Sequence, residues 1–137
     1  VNLASRLEGL TKQLGCRILA SDAVVDQLGP TARDQVKMRR VGPVVVKGSG
    51  EPVVVHDVFQ ADARELQQLK QETKPLFEAF SAGVLELVPP RSDLPAPERL
   101  RVELESAAAR ISTEDRSVSA LEQHARPELG AYVFVDK

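Results

Sequence analysis

At 137 residues the chain is long enough for about one domain, and its 42% hydrophobic and 28% charged residues are ordinary for a globular protein. Aromatic residues are only 4%, with no Trp, so a core must be built mostly from Leu, Val and Ala. The net charge is −2, with eight basic against six acidic side chains in residues 1–60 and ten against fourteen after them, which argues against a nucleic-acid surface, as does the lack of stacking aromatics.

Cys16 is the sole cysteine, so no intrachain disulfide can form, a usage compatible with a reducing compartment. No apolar run approaches the roughly 18 residues of a membrane span, and no stretch of the chain reads as a signal peptide. The chain opens without Met, inside a motif, and reads as a fragment of a longer protein.

The first expected element is a helix over residues 1–14, stopped by Gly15. Leu3, Leu7, Leu10 and Leu14 form its apolar stripe, and Glu8 and Lys12 an i,i+4 pair. Asn2 and Arg6 lie one turn apart on an adjoining polar face. Residues 16–20 read as a short buried strand. Ser21-Asp22 caps a helix over 22–28, which Gly29-Pro30 ends, and 31–35 read as a loop.

Residues 36–46 and 53–59 form a β-hairpin around Lys47-Gly48-Ser49-Gly50-Glu51-Pro52, with Gly42-Pro43 marking a bulge or an edge. Residues 62–88 read as a helix that Pro75 kinks or splits. A linker with four prolines follows at 89–97, then a helix over 98–111. A further helix, capped by Ser112 or Thr113, runs to about Arg126, and 132–135 read as a short strand or a disordered end. The expected organisation is therefore residues 1–60, then a mainly helical tail over 61–137.

Two pieces of this pattern resemble one family. Val1-Asn2-Leu3-Ala4-Ser5-Arg6-Leu7 resembles the Val-Asn-x-x-(Ser/Ala)-Arg-(Leu/Met) motif of class III nucleotide cyclases, the adenylate and guanylate cyclases. Val46-Lys47-Gly48-Ser49-Gly50-Glu51-Pro52 resembles the Val-Lys-Gly-x-x-x-Pro turn near the end of that catalytic domain, and Cys16 to Ser21 with the helix after it fits the family order. The resemblance covers residues 1–60. It implies an α+β fold, the C-terminal part of a ferredoxin-like cyclase domain, with adenylate cyclase preferred.

The resemblance also implies the chemistry. In this family a ribose 3′-hydroxyl attacks the α-phosphate of a nucleoside triphosphate, and pyrophosphate leaves. Arg6 would meet the charge that gathers on the α-phosphate, since a guanidinium is a permanently charged fork fitted to phosphate oxygens. Asn2 would orient the ribose. Lys47 would bind the terminal phosphates. Mg2+ or Mn2+ would be held by aspartates that precede Val1, so no metal ligand is expected in this fragment. The partners implied are the triphosphate and a second cyclase domain, most simply in a homodimer. The expected location is the cytoplasm, or the cytoplasmic part of a membrane-anchored protein. The alternative is a non-catalytic binding or dimerisation piece, inactive without the metal-binding half.

Other residues carry plainer expectations. Lys47 precedes its glycines and no Gly-Lys-(Ser/Thr) follows, so the turn is not a P-loop. His56 and His124 lack metal-ligand spacing and read as structural. Cys16 reads as a buried small apolar residue, Arg39-Arg40 as a solvated pair, and Asp22 with Asp26 as a weak cation site at best. Alone, the fragment is expected to leave the Leu3-Leu7-Leu10-Leu14 stripe uncovered.

Overall fold

The computed structural model describes residues 3–46, 51–86 and 96–134, with residues 3–7 described by their backbone alone. In chain order come α1 (Leu3–Leu14), β1 (Ile18–Ser21), α2 (Asp22–Asp26), α3 (Pro30–Gln35), β2 (Met38–Val46), β3 (Val53–Val58), α4 (Arg64–Val84), α5 (Pro97–Ile111), α6 (Arg116–His124), β4 (Ala125–Arg126), a 3-10 turn (Pro127–Leu129) and β5 (Ala131–Phe134). The fold is α+β: six helices and one five-stranded mixed sheet among the described residues.

The strand order is β1-β3-β2-β5-β4. β1 and β2 flank β3 antiparallel, as expected of a hairpin plus a neighbouring strand. The β2–β3 register shifts between Arg40 and Gly42, so Gly42-Pro43 does mark a bulge. Gly42 sits at φ +126, a conformation that L side chains rarely adopt. β5 then adds to β2 in parallel, pairing Val44 with Tyr132, Val45 with Val133 and Val46 with Phe134.

The described residues of 61–134, expected as a tail, are packed onto the described residues of the first sixty. β5 completes the sheet, Phe77 and Phe80 of α4 pack on it, and Leu121 of α6 is fully buried. Leu10 and Leu14, expected to lie uncovered, are buried with Val118, Ala120 and Leu121 in one cluster. The correction has a physical reason: α6 presents its own apolar stripe, and burying two stripes against each other removes both from water. Side chains of Leu3 and Leu7 lie outside the described residues.

Three local corrections follow from caps and prolines. Residues 30–35 are a helix and not a loop, because Pro30 stands at its first position, where a missing N–H costs nothing. Arg33 fastens this helix to α2 through the Val25 carbonyl at 3.2 Å and Asp26 at 3.0 Å. Of the two outcomes expected at Pro75, a kink or a split, the split does not occur: α4 runs on through it for 21 residues. Pro75 lacks the N–H that would serve the Gln71 carbonyl, and both residues lie on the exposed side of the helix. The cap of α6 is Asp115, accepting from Ser117 N at 3.2 Å, and not Ser112 or Thr113; Ser112 instead ends α5 in the left-handed region. The proline linker lies mostly outside the described residues, which resume at Ala96, with Pro97 opening α5.

Candidate functional site

Arg6 belongs to the second turn of α1, and its side chain lies outside the described residues, as do Asn2 and Lys47. The structure does describe the elements that carry two of them. α1 leads from Arg6 to Leu14, and β2 leads to Val46, immediately before Lys47. Both ends of this arrangement meet residues 112–134. Ser117 Oγ donates to the Leu14 carbonyl at 2.7 Å and lies 3.4 Å from Cys16 Sγ, while a Cβ at Gly15 would meet Arg116 Cβ at 2.8 Å.

Beneath the sheet lies a buried ionic cluster that spacing alone did not indicate. Arg39, read as half of a solvated pair, is 0% exposed. Its Nε donates to Asp57 Oδ2 at 3.0 Å, and its two terminal nitrogens donate to the two Asp115 oxygens at 2.6 and 2.9 Å. Its guanidinium carbon sits 3.6 Å from the Phe77 ring centroid. Lys70 of α4 closes the cluster at 2.8 Å from Asp57 Oδ2 and 2.6 Å from Asp62 Oδ2. Arg40, its neighbour, is exposed as expected.

The cluster holds its charges in place. Burial alone would lower the Arg39 and Lys70 values, but facing carboxylates, Asp115 and Asp57 for Arg39 and Asp57 for Lys70, leave both raised. Burial would raise Asp115, and Arg39 outweighs it, leaving Asp115 lowered. Two cations against three carboxylates leave a surplus negative charge inside, which Arg17 approaches from the rim, 3.9 Å from Asp62 Oδ1. Asp57 Oδ1 has no hydrogen-bond partner among the described residues. Every Arg39 nitrogen is spent on a carboxylate and its carbon on a ring, so this guanidinium is not open to a substrate phosphate.

The remaining candidates are structural in place. His56 Nε2 lies 2.9 Å from Asp22 Oδ1, and Asp26 pairs with Arg33, so the two aspartates each face a basic side chain. His124 Nδ1 lies 3.2 Å from the Val133 carbonyl and its ring stacks on Phe134 at 4.3 Å. No group of three or more His, Cys, Asp and Glu among the described residues is placed to hold a metal ion. No described helix is long and apolar enough to cross a membrane. One open polar groove of about 530 Å³ runs along α4, lined by Lys37, Arg64, Gln67, Gln68, Gln71 and Glu72; no residue expected in the site belongs to it.

Burial pushes the Cys16 thiol from 9.0 up to about 12, and the Tyr132 phenol from 10.0 up to about 12 despite its hydrogen bond with Ser81. Both groups are neutral when protonated. Above pH 9 an unfolded chain sheds these protons and the native one keeps them, so stability falls with rising pH between 9 and about 12. Absorbance of the single tyrosine, followed with thiol labelling across this range, checks it. A folded protein whose Cys16 is labelled as readily at pH 9 as an unfolded peptide contradicts the burial.

The chain is 35% identical over 78 residues to the adenylate cyclase, terminal-differentiation specific, of Dictyostelium discoideum, covering 57% of this chain and 4% of that protein. It is 42% identical over 59 residues to an adenylate cyclase of Anabaena cylindrica, 42% of this chain and 11% of the relative. It is 43% identical over 58 residues to adenylate cyclase 1 of Rhizobium meliloti, 42% of this chain and 8% of the relative. The chain thus spans only a small part of the curated relatives it matches, and is related to adenylate cyclases over part of its own length. No protein-family profile matches it, and no solved structure does.

Proposed function

We propose that this chain is the C-terminal part of a class III nucleotide cyclase domain together with the segment that follows it. The whole protein would convert a nucleoside triphosphate, ATP by preference, into a 3′,5′-cyclic nucleotide and pyrophosphate in intracellular signalling. The observation that carries the reading is the set of three adenylate cyclases, from three organisms, each at least 35% identical over 58 residues or more. The two motifs quoted above support the finer class. Arg6 would stabilise charge on the α-phosphate, Asn2 would orient the ribose, and Lys47 would hold the terminal phosphates. A compact, strongly hydrated ammonium suits a group that must also let pyrophosphate go.

In this proposal the metal side of the site lies elsewhere, and no step here is routed through a metal. A second cyclase domain, most simply of a second copy, would complete the site in the cytoplasm. The alternative, a non-catalytic binding or dimerisation piece, gains nothing from the α1 stripe expected to lie uncovered, since Leu10 and Leu14 are already covered by α6 of the same chain.

The test has two arms. A longer protein containing this segment should form cyclic nucleotide from ATP with Mg2+ or Mn2+, and these 137 residues alone should not. Reproducible metal-dependent product from the short chain overturns the placing of the metal site outside it. In the longer protein, Lys47→Ala should weaken substrate binding and pyrophosphate inhibition together, each by about tenfold or more, as expected for one charge-assisted contact. Equal pyrophosphate inhibition in variant and wild type rejects the role of Lys47.

A further inference from the structure

Two elements carry the phosphate-side residues just proposed: α1 carries Arg6, and β2 ends one residue before Lys47. The antiparallel register between β2 and β3 stops at Val44 with Val53. Val45 and Val46 are paired, among the described residues, by β5 alone, through Val133 and Phe134. The strand end next to Lys47 is therefore held in the sheet by β5. Strand ends fray unless a neighbour satisfies their backbone groups.

The same segment grips β2 a second time and α1 once. Asp115 meets Arg39 of β2 with both oxygens and caps α6 through Ser117 N. Ser117 then serves the Leu14 carbonyl at the end of α1, one of the orphan acceptors that every helix leaves. From Asp115 to Phe134 the chain thus touches β2, α1 and β2 again. A helix is stiff over the two turns between Arg6 and Leu14, so holding its end holds its bearing.

We propose that residues 115–134 form a positioning clasp for polyphosphate binding, fixing α1 and the end of β2 relative to each other, with Asp115 and Ser117 as positioning residues. The proposal rests on the reading of Arg6 and Lys47 above. The clasp touches no phosphate. It fixes the two elements that lead to the cations before the ligand arrives, so less ordering remains to be done on binding.

The experiment uses the longer, metal-loaded, cyclase-active protein proposed above with inorganic pyrophosphate as probe, well below the unfolding temperature of each variant. Affinity is read by titration calorimetry, and amide exchange is read at Val45, Val46 and Val55. Asp115→Asn should weaken pyrophosphate binding about tenfold and Ser117→Ala about threefold, in the range of coupled network residues. Both should speed exchange at Val45 and Val46 more than at Val55, which β3 shares with β1 and β2. Arg110→Ala, which loses only an exposed pair with Glu72, should bind as wild type does. A purely structural role lowers stability and leaves the affinity of the folded protein unchanged. If Lys47→Ala abolishes binding while Asp115→Asn and Ser117→Ala bind like wild type, the clasp is wrong and the Lys47 reading stands. If wild type does not bind, or Lys47→Ala binds equally well, the Lys47 reading fails and the clasp falls with it. Should Asp115→Asn not fold, Ser117→Ala decides alone: unchanged affinity overturns the proposal.

Discussion

Replacing Arg39 by Met should destabilise the fold by about 3–5 kcal/mol, the usual cost of removing one partner from a buried ion pair. Arg40→Met, one residue along, should leave the unfolding curve nearly unchanged. The contrast follows from where the strand turns each side chain. Arg39 is fully enclosed between Asp57, Asp115 and Phe77, and without it three buried carboxylates are left with Lys70 and the distant Arg17. Methionine fills much of the space but neutralises nothing. The acid side follows too: the lowered Asp115 contributes stability that is present above its ordinary 3.8 and is lost as pH falls through its lower folded value. Arg39→Met removes the cause of that lowering, so its stability should depend less steeply on pH in this acid range. Urea unfolding of the two variants between pH 3 and pH 7 measures both effects. Equal stabilities for Arg39→Met and Arg40→Met would mean that the buried cluster does not exist.

That cluster shows where a sequence runs out of signal. Period-two spacing already puts Arg39 on the same face of β2 as Val41, and Asp57 on the same face of β3 as Val55 and Phe59. Likewise Lys70 falls on the α4 stripe with Leu66, Leu69 and Phe77. A charge on an apolar stripe was a readable anomaly. Its resolution was not, because Asp115 lies 76 residues from Arg39 and no local rule couples them. The same limit hid β5. Helices and the hairpin are local and could be read from spacing, turn residues and caps, whereas a parallel pairing of Val44–Val46 with Tyr132–Phe134 depends on a long return of the chain. The four helices read from apolar period or length, α1, α4, α5 and α6, are all present, while α3, with only six residues and no buried side chain, has no stripe to read. The proposed phosphate-side residues rest on a different signal. Helical spacing places Asn2 and Arg6 on one face, but only the resemblance to a family motif gives them and Lys47 a role.

Arg6 carries the largest catalytic effect expected of this chain. In a longer, cyclase-active protein, Arg6→Ala should lower the turnover number about 10²- to 10³-fold, the usual loss on removing one transition-state donor, and should change apparent substrate affinity little. The asymmetry comes from timing. Before bond formation the triphosphate already carries its charge on the terminal phosphates, where Lys47 is proposed to act. As the ribose oxygen attacks, negative charge gathers on the α-phosphate oxygens, and a guanidinium fixed beside them gains attraction only then. An interaction that grows along the reaction appears in kcat and hardly in KM. Arg6→Lys separates charge from shape: it keeps the cation and loses the planar fork, so it should recover part of the rate and not all of it. The position is also suited to a clean measurement. Arg6 is one turn from Leu10, the first residue of α1 known to be buried, so α1 should stay docked through Leu10 and Leu14 when the side chain at position 6 is cut back. Initial rates of cyclic-nucleotide formation for the three proteins, with folding checked by circular dichroism, decide the matter. A folded Arg6→Ala protein with wild-type turnover removes Arg6 from the reaction, and a loss confined to KM moves it from the α-phosphate to the ground-state binding of the triphosphate.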